Sequence, residues 1–177
     1  MVGELVGYKR PDLAVEAFNR MRAKLVVIGG GEMLDRLRKV AGPTVTILGP
    51  QPFSVLKEQY ACCKALVFPG EEDFGIVPVE AMASGRPVIA FNRGGATETV
   101  IADRTGLFFD VQTTEAIIEA IERLERMEFN PADAVARAAE FRTGVFMEKF
   151  GRFVSRSTGE QLNMAHWLEP SQGRLSS

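Results

Sequence analysis

The chain has 177 residues, of which 46% are hydrophobic, 25% charged and 8% aromatic. Its 21 lysine and arginine residues against 23 aspartate and glutamate residues give a formal net charge of −2, which excludes an obviously basic nucleic-acid binder and a polyanionic tail protein. The length predicts one domain, and no apolar run approaches the ~18 residues that a membrane span requires. The first residues also lack the apolar region of a secretory signal.

Short apolar runs alternate along the chain with longer segments of helical periodicity. The runs are uninterrupted rather than alternating, which indicates strands covered on both faces. This order of elements predicts a doubly wound α/β domain whose parallel sheet binds ligands outside the carboxyl ends of its strands. The predicted strands cover residues 24–28, 44–48, 65–68, 87–91 and 107–109. The predicted helices cover residues 11–22, 32–41, 54–63, 76–84, 113–127, 131–140 and 143–155.

Both ends of the chain depart from this alternation. Met1 and Val2 look like the last residues of a strand, so we expect the domain to begin in mid-strand. After Ser157 no period is visible. We therefore expect a Rossmann-like domain over residues 1–156 and a C-terminal tail or arm over residues 157–177.

The two cysteines, Cys62 and Cys63, are adjacent, and the single histidine, His166, lies about a hundred residues further on. A disulfide between neighbours needs a strained ring, and a metal site would lack ligands. We expect two small core residues near a helix end, in a reduced, cytoplasmic protein. His166 is expected to be an incidental surface residue of the tail rather than a catalyst.

The loop after the incomplete first strand carries glycines and positive charge. Gly3 and Gly7 permit close backbone approach, and Lys9 and Arg10 precede a predicted helix, a combination that suits a phosphate. A flexible loop with two solvated cations is the alternative. The glycines at 29–31 do not complete a dinucleotide fingerprint, because position 34 is leucine, which disfavours a nicotinamide-dependent oxidoreductase.

The loop after the 65–68 strand is the most specific. Three acids at 71–73 stand where a strand ends and a helix begins, and the helix start leaves the N–H groups of Gly75 and Ile76 free for an anion. Glu72 and Glu80 can both accept hydrogen bonds from vicinal hydroxyls, so a sugar or ribose is a natural ligand. The alternative is a capping cluster in which the acids complement the helix dipole.

Taken together, these loops resemble glycosyltransferase family 4, the retaining transferases of the GT-B type with two Rossmann-like halves. The resemblance covers about residues 2–153 and only the C-terminal, donor-binding half of that architecture. Its specific element is the E-x7-E signature, which Glu72 and Glu80 match. Supporting matches run in the same order along the chain: Gly3, Leu5 and Lys9, the glycines at 29 and 31, the segment 45–49, Gly94 and Gly95 with Glu98, and the segment 105–107.

The resemblance implies a role for each matched residue. Glu72 is expected to touch hydroxyls of the transferred hexose, Lys9 to hold the diphosphate, and both to be catalytic. Glu80 is expected to hold the ribose hydroxyls. No metal or other cofactor is implied, because cations and helix dipoles neutralise the leaving diphosphate. The other donor-binding residues that it implies are Gly3, Glu4, Gly31 and Gly49, the backbone of Phe74, Gly75 and Ile76, and the pair Gly94 and Gly95.

One residue departs from the family pattern. Glu4 stands where the family carries an arginine. Exchanging a cation for an anion beside a diphosphate changes the energy by about 4 kcal/mol per close charge pair at an effective dielectric of 20. Unless Arg10 or Arg93 compensates, or Glu4 points away, we expect weakened donor binding.

The function that the resemblance implies is glycosyl transfer with retention from a nucleotide-diphospho-sugar. The segment 71–90 looks most like mannosyltransferases, which favours GDP-mannose and an acceptor of surface polysaccharide or glycolipid synthesis. Because the acceptor pocket belongs to a missing N-terminal domain, this chain is expected to bind donor but to transfer little or nothing alone. The full-length enzyme would be cytoplasmic or peripheral at the inner membrane face. A non-catalytic nucleotide-sugar-binding or interaction module is the alternative.

If the chain is one half of an enzyme, we expect it to expose apolar surface where the partner domain would pack or where the chain would self-associate. Candidates are Phe146, Phe150, Phe153 and Trp167. Ordinary helix packing is the alternative for the three phenylalanines.

Overall fold

A computed structural model of the chain describes residues 1–159. They divide into one unit formed by residues 1–138 and a second that begins at residue 139. A helix, Thr143–Thr158, occupies most of the described second unit. The domain boundary expected after residue 156 therefore falls inside this helix. Within the described residues, no helix combines the length and the apolar character needed to cross a bilayer.

The first unit alternates short strands with helices, in the order that the sequence predicts. Its strands are β1 (Leu25–Ile28), β2 (Val45–Gly49), β3 (Leu66–Phe68), β4 (Val88–Phe91) and β5 (Gly106–Phe109). A 3-10 helix (Gly7–Lys9) precedes α1 (Pro11–Met21), α2 (Leu34–Val40), α3 (Phe53–Cys62), α4 (Ile76–Ala83), α5 (Ala96–Thr99), α6 (Thr114–Glu125) and α7 (Pro131–Ala139), and α8 (Thr143–Thr158) lies in the second unit.

All strand pairs are parallel, but the ladder has two parts. β1 pairs with β2, and β3, β4 and β5 form a separate three-stranded sheet in that order. The first residues run beside β1, where Val2 bridges Ile28 and the Ile28 N–H donates to the Met1 carbonyl at 3.0 Å. The predicted parallel α/β class is therefore confirmed, with the sheet interrupted between β1 and β3.

Two apolar clusters cover the two faces of the sheets. In β4, Ile89 and Phe91 face the cluster built on α1, α2 and α6, whereas Val88 and Ala90 face the cluster built on α3, α4 and α7. Because side chains of a strand alternate between faces, burial on both sides requires an apolar residue at every position. This is the physical reason for the uninterrupted apolar runs, and it confirms the doubly wound arrangement.

The structure corrects one expectation about the cysteines. Both are free thiols, and Cys62, the last residue of α3, is exposed, whereas Cys63 is half-buried. The expected position near a helix end is confirmed, but the placement of both residues in the core is wrong. The end of α3 faces solvent at Cys62.

The three phenylalanines of the second unit are exposed. Phe146, Phe150 and Phe153 follow one another at helical spacing on α8, and the rings of Phe146 and Phe150 stack with centroids 5.8 Å apart. Ordinary packing into a core, the alternative expected for them, is therefore wrong within the described residues. His166 and Trp167 lie outside the described residues.

The α-amino group of Met1 makes the stability of the 177-residue chain depend on pH. It donates to the Val26 carbonyl at 2.9 Å, and burial lowers its pKa from 8.0 to about 6, with Cys63 acting in the opposite direction. Between these values the unfolded amine holds a proton that the folded one has lost. The free energy of unfolding should therefore rise by about 2–3 kcal/mol from pH 6 to pH 8.

Urea unfolding at a series of pH values measures this effect, with the Nα-acetylated chain as the control. We expect the unmodified chain to gain stability over this range relative to the acetylated one. Parallel profiles for the two chains would contradict a buried amine.

Candidate functional site

Three loops that follow parallel strands meet at the carboxyl edge of the sheets. The Gly95 N–H, in the loop after β4, donates to the Glu72 carbonyl in the loop after β3 at 2.7 Å. On its other side the loop after β3 packs against the 3-10 helix, where a Cβ on Gly70 would lie 2.6 Å from Lys9 Cα. The loop after β3 is thus held by backbone contacts on both sides.

Glycines occupy positions 94 and 95, in the loop after β4, where no side chain fits. A Cβ on Gly94, which has φ +61, would lie 2.4 Å from the Glu72 carbonyl oxygen, and one on Gly95 would lie 2.4 Å from Phe74 Cα. These distances are far below van der Waals contact. The structure therefore assigns both glycines a packing role, and the donor contact implied for them stays a prediction.

The other candidate glycines lie around the first loop. A Cβ on Gly31 would lie 2.6 Å from the Leu5 carbonyl oxygen, so Gly31 also permits a loop contact. The Gly29 N–H donates to the Gly49 carbonyl at 3.0 Å, which joins the loops after β1 and β2. Gly3 has φ +144 and open space around its Cβ position, so its backbone conformation, rather than crowding, favours glycine.

Lys9 and Glu72 form the central contact of the site. The Lys9 Nζ lies 3.1 Å from the Glu72 Oε1, and their side chains are 16% and 21% exposed. The neighbouring Arg10 turns away, because its guanidinium binds both oxygens of Asp12 at 3.2 Å. The two residues implied to be catalytic, far apart in sequence, are therefore in direct contact in a partly water-excluded position.

Helix α4 begins at Ile76, four residues after Glu72. Its N-cap, Gly75, is left-handed at φ 73 and offers no side-chain cap, and no acid lies in the first turn of the helix. The N–H groups of the first turn lack intrahelical partners and carry the positive end of the helix dipole. The start of α4 therefore has no side-chain cap, and Glu72, one of the three acids at 71–73, pairs with Lys9.

The side chain of Ile76, at the start of α4, is 65% exposed, and that of Phe74 is 44% exposed. Both residues implied to contact the donor thus border the open face of the loop. Gly75 between them is buried.

Glu80 is oriented by a partner that the sequence did not indicate. The Tyr60 hydroxyl on α3 donates to the Glu80 Oε2 at 2.9 Å. Burial, and then the Glu80 carboxylate, raises the pKa of Tyr60, so the phenol stays protonated and acts as a donor. Nothing in the sequence marks Tyr60, because the contact joins two helices on the same face of the sheet. Among residues 1–159 the other oxygen of this carboxylate, Oε1, has no hydrogen-bond partner.

Glu4 is exposed in the first loop. Within the described part of the chain its carboxylate forms no ion pair, and Arg10 is bound to Asp12. Arg93 is exposed in the loop after β4. Compensation for Glu4 by Arg10 or Arg93 at a diphosphate stays a prediction.

The described residues hold no group of three or more His, Cys, Asp or Glu side chains that could bind a metal. The positive character of the site comes from the Lys9 ammonium and the start of α4.

Comparison with known proteins gives a consistent family assignment. Residues 1–141 match the model of the family described as "Glycosyl transferases group 1". A GDP-mannose-dependent alpha-(1-6)-phosphatidylinositol monomannoside mannosyltransferase of Mycobacterium tuberculosis is 35% identical over 141 residues, which cover 70% of this chain and 37% of the relative. A D-inositol 3-phosphate glycosyltransferase of Mycobacteroides abscessus is 31% identical, with 98% of this chain and 43% of the relative covered. The chain thus spans less than half the length of these relatives.

Solved structures show the same fold. The lipopolysaccharide outer core galactosyltransferase WaaB matches with a TM-score of 0.76 at 18% identity, covering 88% of this chain and 48% of that protein. Anabaena HepE, solved with UDP and glucose, matches with a TM-score of 0.73 at 21% identity, covering 87% of this chain and 47% of HepE. The expected Rossmann-like half of a GT-B glycosyltransferase is thereby confirmed as a fold.

The packing role of the glycine pair is testable by adding one methyl group. Because the Cβ of Gly95→Ala would meet backbone atoms at 2.4–2.5 Å, the loops must separate, and we expect a loss of about 1–3 kcal/mol in the free energy of unfolding. Gly144→Ala is the matched control, since that glycine lies in α8 with nothing within 4 Å of its Cβ position.

The control should be neutral or more stable by up to about 1 kcal/mol, because alanine favours a helix. Urea denaturation of both variants measures the difference. Equal stability of Gly95→Ala and the unmodified chain would show that the two loops are not in contact.

Proposed function

This chain belongs to the group 1 glycosyltransferases, and we propose that it is the donor-binding half of a retaining transferase that uses a nucleotide-diphospho-sugar. The observation that carries the proposal is the contact between Lys9 Nζ and Glu72 Oε1 at 3.1 Å, in which Glu72 belongs to the loop that leads into α4. It puts a cation, a carboxylate and free N–H groups within one small surface. A diphosphate joined to a sugar presents the complementary groups, anionic oxygens and hydroxyls.

The diphosphate is proposed to bind between Lys9 and the first turn of α4. Phosphate oxygens accept charge-assisted hydrogen bonds from an ammonium, and a helix N-terminus adds its own positive potential. In the transfer step these groups would stabilise the charge that develops on the leaving nucleoside diphosphate. No metal is required for this neutralisation.

The two glutamates are proposed to recognise hydroxyl groups. Glu72 would accept from hydroxyls of the transferred hexose, at the end of the donor nearest the reacting carbon. Glu80 would accept from the ribose hydroxyls through Oε1, while Tyr60 holds Oε2. The remaining donor contacts are proposed for the first loop and the loops after β1, β2 and β4: Gly3, Glu4, Gly31, Gly49, Gly94 and Gly95.

In the proposed reaction the bond between the anomeric carbon and the phosphate oxygen breaks, and a bond from that carbon to the acceptor oxygen forms on the same face. The acceptor proton passes to an oxygen of the leaving diphosphate. The chain's residues orient the donor and stabilise charge. The acceptor, of surface polysaccharide or glycolipid synthesis, is proposed to bind an N-terminal domain, so this chain alone would bind donor with little or no transfer.

GDP-mannose is the favoured donor. Besides the Mycobacterium tuberculosis relative, a GDP-mannose-dependent alpha-mannosyltransferase of Mycolicibacterium smegmatis is 38% identical over 120 residues, covering 65% of this chain and 32% of the relative. The full-length enzyme is proposed to act in the cytoplasm or at the inner membrane face.

Replacing Lys9 tests the proposal. Lys9→Met keeps the aliphatic stem and removes the charge, so we expect GDP-mannose to bind about 10–100-fold more weakly, the equivalent of one lost charge-assisted hydrogen bond. Lys39→Met, at the exposed far end of α2, removes the same charge away from the loops and should change the affinity less than twofold.

Calorimetric titration with GDP-mannose, UDP-glucose and NAD measures these affinities. Binding of NAD alone, or unchanged GDP-mannose affinity in Lys9→Met, would contradict the proposal. Tighter binding of UDP-glucose than of GDP-mannose would support the proposed donor site but contradict GDP-mannose as its donor.

A non-catalytic binding or interaction module is the second candidate, and Glu4 favours it, because an unpaired carboxylate in the first loop opposes a diphosphate. Glu4→Arg should therefore strengthen GDP-mannose binding about 30-fold, since two exposed charge changes of about 1 kcal/mol each reinforce one another. Glu58→Arg, exposed on α3, carries the same change in net charge as a control.

Equal affinities in the two arginine variants would show that Glu4 does not face the ligand. A chain that binds no nucleotide sugar until Glu4 is replaced would favour the second candidate over a functional donor site.

A further inference from the structure

The Glu80 carboxylate is held from a neighbouring helix. Glu80 lies one turn inside α4, and the Tyr60 hydroxyl on α3 donates to its Oε2 at 2.9 Å. A free glutamate side chain samples many rotamers, and ordering it for a ligand has an entropic cost. The bond from Tyr60 restricts the orientation of the carboxylate before any ligand binds.

Tyr60 is itself fixed in the interior of the first unit. It is 4% exposed and belongs to the apolar cluster that includes Phe68 of β3 and Met82 of α4. The next residue along α3, Ala61, accepts a hydrogen bond at its carbonyl from the guanidinium of Arg86, which lies between α4 and β4. The ring and the helix that carries it are therefore both anchored, and the phenol presents its proton from a fixed position.

The Glu80 carboxylate keeps acceptor capacity for a ligand. An ionised carboxyl group has two oxygens with about four lone-pair sites in all. Tyr60 takes a site on Oε2, whereas among residues 1–159 Oε1 has no hydrogen-bond partner. Two hydroxyls on adjacent carbons can bind such a group together, one at each oxygen.

A ligand with only one of these hydroxyls would leave part of the carboxylate unpaired. A site that is arranged to bind a hydroxyl discriminates against the analogue that lacks it, because its own polar group then has no partner. This discrimination requires a carboxylate that stays in place, since a mobile one turns to water instead. Ribose carries hydroxyls at C2′ and C3′, and 2′-deoxyribose carries only the second.

We propose that Tyr60 is a positioning residue that makes the site prefer ribonucleotides to 2′-deoxyribonucleotides. It acts through Glu80, because it holds Oε2 and so presents the carboxylate to the vicinal hydroxyls of ribose. The inference rests on the donor site proposed above, and it narrows the donors to sugars carried by ribonucleoside diphosphates.

Binding of matched nucleotides to the 177-residue chain tests the proposal. The readout is the dissociation constant of 2′-deoxy-GDP divided by that of GDP, and the same ratio for 2′-deoxy-UDP and UDP covers a second base. We expect a ratio of about 10 or more in the unmodified chain, the equivalent of one hydrogen bond to a charged group, and of about 2–3 in Tyr60→Phe. Because both ligands meet the same protein, a general loss of folded chain cancels in the ratio.

A double-mutant cycle separates positioning from a structural effect. Glu80→Ala should lower the ratio to about 1, and adding Tyr60→Phe should change it no further, because Tyr60 acts through the carboxylate. Tyr8→Phe is the matched control. It removes the same hydroxyl at the chain's other tyrosine, which is 61% exposed in the first loop, and it should keep the ratio of the unmodified chain.

An unchanged ratio in Tyr60→Phe, with a ratio near 1 in Glu80→Ala, would overturn the role of Tyr60 and leave the proposed donor site standing. An equal effect of Tyr60→Phe with and without the Glu80 carboxylate would overturn it in the same way. If Tyr60→Phe does not fold, Glu80→Asp breaks the contact from the other side, and a ratio as high as in the unmodified chain would contradict the proposal. A chain that binds none of the four nucleotides would overturn the donor site together with this inference.

Discussion

The site depends on backbone contacts between three loops, and a side chain at either of two glycines would block them. Gly70 lets the loop after β3 touch Lys9, and Gly95 lets the loop after β4 donate to the Glu72 carbonyl. Each contact fixes the backbone of a surface loop at the edge of the sheet where parallel α/β folds bind their ligands. Lys9 and Glu72 meet because the loops that carry them are held in this way, and the start of α4 is held with them.

The Lys9–Glu72 ion pair balances the charge of the site in the absence of ligand. Two partly buried charges left alone would cost desolvation energy, and their contact offsets it. A diphospho-sugar could take over both sides of the pair, its phosphates on the ammonium and its hydroxyls on the carboxylate. Ligand binding then exchanges one set of charge-assisted hydrogen bonds for another, and the start of α4, which has no side-chain cap, supplies the additional attraction.

The sequence predicted the elements of this fold well because burial on both faces leaves each strand, such as Val88–Phe91, as an apolar run. The motifs also predicted Lys9, Glu72 and Glu80 as site residues, and the structure shows Lys9 and Glu72 in contact. The sequence could not reveal that Gly94 and Gly95 serve loop packing, since a glycine pattern is the same for a ligand and for a neighbouring backbone. Tyr60 and the interrupted sheet were equally hidden, because both are consequences of long-range packing rather than of local pattern.

A crystal structure of the chain with GDP-mannose would test the central claim most directly. We expect Lys9 Nζ to leave Glu72 and to lie within about 3 Å of a diphosphate oxygen, with the diphosphate at the first turn of α4 and mannose hydroxyls on Glu72. A complex in which the Lys9–Glu72 contact persists and the diphosphate binds elsewhere would contradict it.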